Sequence, residues 1–486
     1  MTDARFLDDG VGAVWEISGT GPRPTSVQLV GRRAHVAARL YGRGRTWRAE
    51  IPLRVSRWGG PELPLPTGEY RLHVEAGAAT DAAPPDAAIP PTLLLGLRAE
   101  WTGTALRVGP PLDPASHSAA GQAALAKQYA AARREPLENA VFFESFYGRT
   151  VGCNPLAIDR ELSRVAPGVT RYWSVVDLSV AVPPGAIAVV EGSPAWWRAR
   201  GSARLLVVND WLRRRFVRRR GQVVLQTWHG TPLKRLALHR PGFDPRRALA
   251  VVREARRWNI LLAQSPYAAR VLAKAYAFLR RPVWIEGYPR NDVLQTDDGR
   301  RTRRMLGIEA EERVLLYAPT WRDDREAIVD FVDATALAEQ TDSVVLVRGH
   351  TRTLLPGEDA RGPRVIDVTG YPDTARLLAA ADALITDYSS VMFDFSVTGK
   401  PLYFLVPDLE HYRGELRGFY FDLLDAAPGP VVRTQDDLVR AIDEVDPAIF
   451  AERYARWRRN FNARDDGRAA ERVVARILDS GFLDRG

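Results

Sequence analysis

The stretch QTWHGTPLKRL, residues 226–236, sets a histidine, a Gly-Thr-Pro turn and a lysine directly after the apolar run QVVL. A loop leaving the end of a buried strand is where open α/β proteins gather ligands and reactive groups. A neutral imidazole there suits a general base that activates a hydroxyl. Beside His229, Thr231 offers a hydroxyl, Pro232 fixes the turn and Lys234 supplies a compact charge suited to phosphate. Taken alone, His229 reads equally as a satisfied histidine near the core.

A second set of polar residues follows the run DALI. Asp387 ends the strand, and Ser389 and Ser390 open the helical stretch SVMFDFSVTG. Free N–H groups and the macrodipole favour an anion at a helix start, and the hydroxyls add donors without bulk. The alternative is that one serine only caps the helix. Asp394, about one turn further on, suits a ribose or polyol hydroxyl, or simply solvates a helix face. His350 lies between Arg348 and Arg352 in RGHTR, after VVLV, and reads as part of a cationic clamp on a diphosphate. Arg290 of GYPRND and Arg322 of APTWRD extend that clamp, although each alone reads as a surface arginine. The cleft motifs hold no DxD pair, and the adjacent Asp323 and Asp324 read as exposed, so neither a metal nor another cofactor is expected. Several cations and a helix start suffice to neutralise a leaving phosphate.

These clusters need strands to position them. From residue 138 the apolar runs NAVFFES, RYWSVV, AIAVVEG, RLLVVND, QVVLQT and NILLAQS alternate with helical or loop segments. After GYPRNDVL and the charged helix DDGRRTRRMLGI comes a second series: RVLLYAPTW, SVVLVRGH, RVIDVT, ADALITD, PLYFL and PVVRT. Strands without polar alternation, spaced by helices, imply parallel sheets covered on both faces. The first 110 residues differ. Stretches such as GAVWEISG, SVQLVG and TWRAEIPL alternate with period two between Gly/Pro turns, which predicts an antiparallel sandwich. The expected architecture is therefore two doubly wound parallel-sheet domains, 111–292 and 293–486, behind an all-β sandwich-like domain, 1–110. An alanine-rich helix starting at Asp113-Pro114 links them, and an amphipathic helical tail closes the chain.

Composition narrows the partners. With 486 residues, 46% hydrophobic and 26% charged, the chain is long enough for more than one core. Its one cysteine, Cys153, excludes an intramolecular disulfide framework. The acidic start MTDARFLDDG is unlike a secretory signal, and no apolar run reaches the roughly 18 residues of a membrane span. The cytoplasm is the expected compartment. A net charge of +9 points to anionic partners, and in a chain with only four lysines, one inside a dense motif stands out. The segment WLRRRFVRRR, residues 211–220, carries six arginines around Leu212 and Phe216. As a short helix it would present an apolar patch ringed by cations to an anionic membrane; otherwise its apolar side packs inward. No motif reads nucleic acid.

In order and wording the clusters resemble the CDP-glycerol glycerophosphotransferase family, the polymerases and primases of teichoic acids. The resemblance rests on FFESFYGRTVGCNP, QTWHGTPLKRL, GYPRNDVL, APTWRDD, RGH, LITDYSSVMFDFSVTGKPLYF and RDDGRAAERV, which span residues 140 to about 475. It implies a GT-B arrangement in which an acceptor hydroxyl attacks the polyol-bearing phosphorus of a CDP-polyol, releasing CMP. The family's catalytic histidine falls on His229 and its second active-site histidine on His350. Its donor contacts fall on His229, Gly230, Thr231, Pro232, Leu233, Arg290, Pro319, Thr320, Trp321, Arg348, Gly349, His350, Ser389, Ser390 and Asp394. The implied acceptor is a lipid-linked wall or capsule polymer, reached from the inner face of the membrane by a peripheral protein. The chain departs from the family in having RGHTR where many members have RxHP, and its first 110 residues lie outside the resemblance. Two readings stand beside this one: a nucleotide-sugar glycosyltransferase with the same cleft, and a non-catalytic scaffold that binds membrane or polymer.

Overall fold

The computed structural model describes residues 3–43, 45–76, 79–80, 85–320, 331–349, 361–416 and 418–485. Backbone contacts group the chain into two compact units. One comprises Met1–Pro136, Tyr147–Val151 and Tyr172–Ser202; the other comprises Leu137–Phe146, Gly152–Arg171 and Ala203–Gly486.

In the first unit the period-two pattern yields two antiparallel sheets. Asp3–Asp8, Ala13–Thr20, Thr46–Pro52 and Arg39–Arg43 pair in that order. The larger sheet runs Ile89–Leu94, Leu97–Trp101, Leu106–Gly109, Gly68–Ala76, Ser26–Gly31, His35–Ala37. Trp15 and Ile51 are register partners on the first sheet, and their inward faces share one core with Leu29, Tyr70 and Trp101 of the second. The Trp15 and Trp101 rings meet across it at 4.8 Å. The linker forms the expected helix, Ala119–Ala132. Asp113 caps a preceding 3-10 turn at Ala115 N, and Ser118 caps the helix at Gly121 N. That helix packs on helix Pro194–Ser202, where Tyr129 and Trp197 meet at 5.1 Å.

The second unit holds most of the parallel strands; one parallel pair, Tyr172–Val175 with Ile187–Val190, belongs to the first. Glu138–Glu144, Ala203–Val208, Val223–Gln226, Ile260–Ala263 and Val283–Ile285 lie side by side, nearly all buried, as unalternated apolar runs require. A further sheet runs Arg361–Gly362, Val365–Asp367, Ser343–Val347, Arg313–Ala318, Ala383–Thr386, Leu402–Leu405, Val431–Val432, and only its first pair is antiparallel. Its parallel strands thus follow the order 3-2-1-4-5-6, with the switch of direction at Arg313–Ala318. Chains leaving the carboxyl ends of neighbouring strands diverge there and open a crevice. The chain then returns: helix Ala469–Asp479 packs on helix Cys153–Val165, and Arg464 and Arg476 reach Glu286 at 2.9 and 2.6 Å. Asp292 accepts from the N–H groups of Ala469 and Ala470 at 2.9 and 2.7 Å, which satisfies the start of that helix.

Candidate active site

His229 leaves the carboxyl end of strand Val223–Gln226 on a loop whose backbone is held by side chains. Trp228 has φ +54°, a left-handed conformation that a bulky residue keeps only under constraint. The constraint is visible. The Asn154 amide donates to the carbonyls of Thr227 and Trp228 at 3.2 and 3.3 Å, and Arg290 Nη1 donates to the carbonyl of His229 at 2.9 Å. Gln226 Oε1 accepts from Trp228 N at 2.9 Å. The imidazole lies on the Trp228 ring at 4.7 Å and meets Phe146 at 5.6 Å. Its Nδ1 is 2.6 Å from the backbone carbonyl of Asn209. A carbonyl only accepts, so Nδ1 carries a proton, and in the neutral ring the lone pair lies on Nε2. No side chain among the described residues takes up Nε2, so the half-buried ring is held by one nitrogen with the other open.

The residues after His229 meet the second parallel sheet. Gly230 lies so close to Ser390 that a Cβ would stand 2.4 Å from its Oγ, which is why a glycine is needed here. Thr231, expected to present its hydroxyl, is buried and donates it to Gln264 Oε1. The carbonyl of Pro232 accepts from Tyr267 OH at 2.8 Å, and that of the buried Leu233 from Tyr420 N at 2.8 Å. Lys234 bridges backbone to backbone with Phe419, and its ammonium lies 5.8 Å from the centre of the Tyr412 ring, which stacks on Tyr388.

At the switch of the second sheet, Asp387 is consumed by the fold: its carboxylate accepts from Thr320 N at 2.8 and 3.0 Å, joining the Pro319-Thr320 turn to the serine loop. Ser389 and Ser390 follow, half-buried. The helix they open, Val391–Phe395, is five residues long and runs into a 3-10 turn, so its dipole is small. Ser390 is the N-cap residue but makes no capping bond, and its hydroxyl has no partner among the described residues. The capping reading fits Ser389, whose Oγ accepts from Val391 N at 3.5 Å, and not Ser390. Asp394 does not solvate a helix face: it is buried against Arg290, with Nη2 at 2.8 and 3.0 Å from its two oxygens. Arg348 also turns inward, donating to the carbonyls of Val368 and Tyr371 at 3.0 and 3.1 Å and to Thr374 Oγ1 at 2.8 Å. Burial pushes its guanidinium down to about 10, against the pull of Asp373 and Asp367. Gly349 N donates to Thr369 Oγ1 at 3.0 Å. Trp321, Arg322, Asp323, Asp324, His350 and Arg352 lie outside the described residues.

The arginine-rich segment 211–220 departs from expectation. It is not helical, and the two apolar residues meant to face a membrane, Leu212 and Phe216, are buried. Glu254 accepts from Leu212 N and Arg257 donates to its carbonyl, at 2.8 and 2.7 Å, which ties the start of the segment to helix Pro245–Ala255 and the turn after it. Its arginines remain at the surface, with Arg213, Arg214, Arg215, Arg218 and Arg220 exposed.

The sequence profile of the CDP-Glycerol:Poly(glycerophosphate) glycerophosphotransferase family matches residues 127–479. The chain belongs to this family. Among its relatives, the teichoic acid poly(glycerol phosphate) polymerase of Bacillus subtilis is 34% identical over 378 residues, 71% of this chain and 50% of the polymerase. The teichoic acid glycerol-phosphate transferase of Staphylococcus aureus is 32% identical over 383 residues, 71% of this chain and 94% of the transferase. The solved structure of the wall teichoic acid polymerase TagF superposes with a TM-score of 0.67 at 27% identity, covering 74% of this chain and 94% of that one. A TagF variant soaked with CDPG superposes equally, at 28% identity. The chain thus spans half the length of one curated relative and most of another.

Within this family member, sequence reasoning missed the residues that hold the candidate site. Asn154 and Asn209 fix the His229 loop, and Gln264 and Asp465 carry its polar contacts inward. Gln264 donates to Asp465 Oδ2 at 2.8 Å, and Tyr288 N donates to Oδ1 at 2.9 Å. Burial raises the Asp465 carboxyl to about 7, against these donors. Asn154 and Asp465 lie in motifs that the resemblance flagged, GCNP and RDDGR, but nothing in their spacing reveals which backbone groups they serve.

Proposed function

We propose that this protein transfers a polyol phosphate, glycerol or ribitol phosphate, from a CDP-polyol to a lipid-linked wall or capsule polymer. The single observation that carries this reading is the fixed His229 tautomer, whose open Nε2 stands on a loop in contact with the unpartnered Ser390 hydroxyl. In the proposed reaction Nε2 takes the proton of an acceptor hydroxyl as its oxygen bonds to the polyol-bearing phosphorus. The phosphorus–oxygen bond to the nucleotide breaks and CMP leaves. Ser389, Ser390 and Lys234 stabilise the phosphate charge, with His350, Arg322 and Arg352 as further candidates. We read residues 111–292 and 293–486 as the two halves of a GT-B arrangement, acceptor side and donor side, and residues 1–110 as an accessory domain. The relatives' teichoic acid activities and the CDPG soak of TagF support the choice of donor.

Membrane docking is part of the same reading. No helix among the described residues is long and apolar enough to cross a bilayer. The exposed arginines of 211–220 adjoin helix Pro245–Ala255, which is preceded by Phe243, 89% exposed, and carries Leu249, 70% exposed, beside Arg246 and Arg253. Exposed apolar side chains among cations suit the anionic inner face of a membrane. A donor screen with identification of the released nucleotide tests the chemistry. CMP from CDP-glycerol or CDP-ribitol, persisting in excess EDTA, is expected. Release of UDP or GDP from nucleotide sugars, with CDP-polyols untouched, would replace this reading by a glycosyltransferase.

A further inference from the structure

The loop between helices Ala451–Phe461 and Ala469–Asp479 is pressed against residues 287–291: a Cβ on Gly287, at φ +82°, would stand 2.4 Å from the Arg464 carbonyl oxygen. The next residue, Asp465, is buried, and its carboxylate meets four N–H donors and, among the described residues, no cation. Tyr288 N and the Asn291 amide reach Oδ1 at 2.9 and 3.4 Å. The Gln264 and Asn462 amides reach Oδ2 at 2.8 and 3.2 Å. Asn462 also donates to the carbonyl of Phe393 and accepts from Ser396 Oγ, both at 2.7 Å, on the segment that follows Ser390. A carboxylate only accepts, and this sets the direction of the bonds beyond it. Gln264 must turn Nε2 to Asp465, so Oε1 is left for Thr231 and the Thr231 hydroxyl must donate.

From this arrangement we infer that Asp465 is a positioning residue for the transfer, holding the His229 loop through Gln264 and Thr231, and the turn that carries Arg290 through Tyr288 N. This role presupposes that His229 is the base, and it leaves Arg290 and Asp394 as the donor contacts that the resemblance implies. His229 is steadied from two directions that meet at Asp465: Thr231, two residues on, is tied to Gln264, and the His229 carbonyl accepts from Arg290 Nη1 at 2.9 Å. Only an ionised carboxylate suits all four donors. An amide at 465 would turn its own N–H groups toward those of Gln264 and Asn462, and an apolar side chain would leave buried donors empty.

Swapping the carboxylate and the amide between positions 465 and 264 of the full-length protein tests this. Asp465→Asn sets one amide against another, and kcat for CMP release from CDP-glycerol should fall by about tenfold or more, since small misplacement of a reacting group is costly. Adding Gln264→Glu restores both the Thr231 bond and the bond between the two side chains, with the charge moved to 264, so the double variant should recover most of that loss. Gln264→Met breaks the chain at its middle with the carboxylate left in place. It should lower kcat as Asp465→Asn does, and it carries the measurements should that variant fail to fold. Hydrogen–deuterium exchange read by mass spectrometry needs no activity: the amides of 227–235 should exchange several-fold faster in either single variant and slow again in the double. Turnover within about twofold of the unaltered protein in a folded single variant would overturn the inference. So would unchanged exchange at 227–235, or a double variant that regains neither turnover nor protection. Failure of the transferase reading looks different: the unaltered protein would then release no CMP from CDP-glycerol, while the exchange pattern would stand.

Discussion

The loop after Val223–Gln226 and the loop after Ala383–Thr386 leave equivalent ends of parallel strands, yet they are held by different means. In the first, donors from elsewhere in the chain reach the carbonyls of Thr227, Trp228 and His229, and one ring nitrogen is left open. In the second, the loop's own carboxylate, Asp387, reaches out to Thr320 N, and one hydroxyl, on Ser390, is left open. A strained loop with Trp228 at positive φ needs external donors, whereas the relaxed start of a helix needs only its own acidic residue. In both, most polar groups are consumed by the fold, and the group proposed to react is one left over among the described residues.

Removing the leftover group of the first loop should have the largest effect. His229→Ala is expected to lower turnover by about 100-fold or more while CDP-glycerol still binds, measured by CMP release and calorimetry; near-normal turnover would remove His229 from the mechanism. Breaking the external support comes next. Asn154→Ala removes the amide from the Thr227 and Trp228 carbonyls, of which only the second keeps another donor, the Thr227 hydroxyl; it should cost about 1–3 kcal/mol of stability and cut kcat more than donor affinity, and the same losses in a loop variant at Asp387 would erase the distinction drawn between the loops. Ser390→Ala removes one neutral donor, about 0.5–1.5 kcal/mol, so transfer should fall by less than about tenfold. An effect equal to that of His229→Ala would mean the second loop does more than receive charge.

Two smaller effects probe the surroundings. Asp465 has a native pKa of about 7, above its ordinary 3.8, so its contribution to stability is complete below the unfolded value and is lost as pH rises from about 4 through 7. Thermal unfolding of Asp465→Asn should therefore depend on pH less steeply than that of the unaltered protein across this window, and parallel curves would count against the raised pKa. Replacing Arg213, Arg214, Arg218 and Arg219 with glutamine should weaken binding to anionic liposomes, most visibly at low salt. Binding that is unchanged would leave docking to Phe243 and Leu249 alone.

Period and apolar runs determined the strands: antiparallel sheets where residues alternate, parallel ones where they do not, with His229 and Ser390 at strand ends because motif and run are contiguous in sequence. The linker helix was legible for the same reason, since Asp113 and Ser118 cap within three residues. What needed the tertiary structure was the allotment of polar groups. A sequence shows the charge of Arg290 and Arg348 but not the acceptors that surround it; folding brings Asp394 to one, and the carbonyls of Val368 and Tyr371 to the other. Likewise 211–220 has the spacing of a helix, but it is irregular, and contacts with Glu254 and Arg257, more than 40 residues away, hold Leu212 inward. Local pattern sets which residues can be buried together, whereas a buried donor takes whichever acceptor the fold delivers, and that partner is fixed only when distant segments meet.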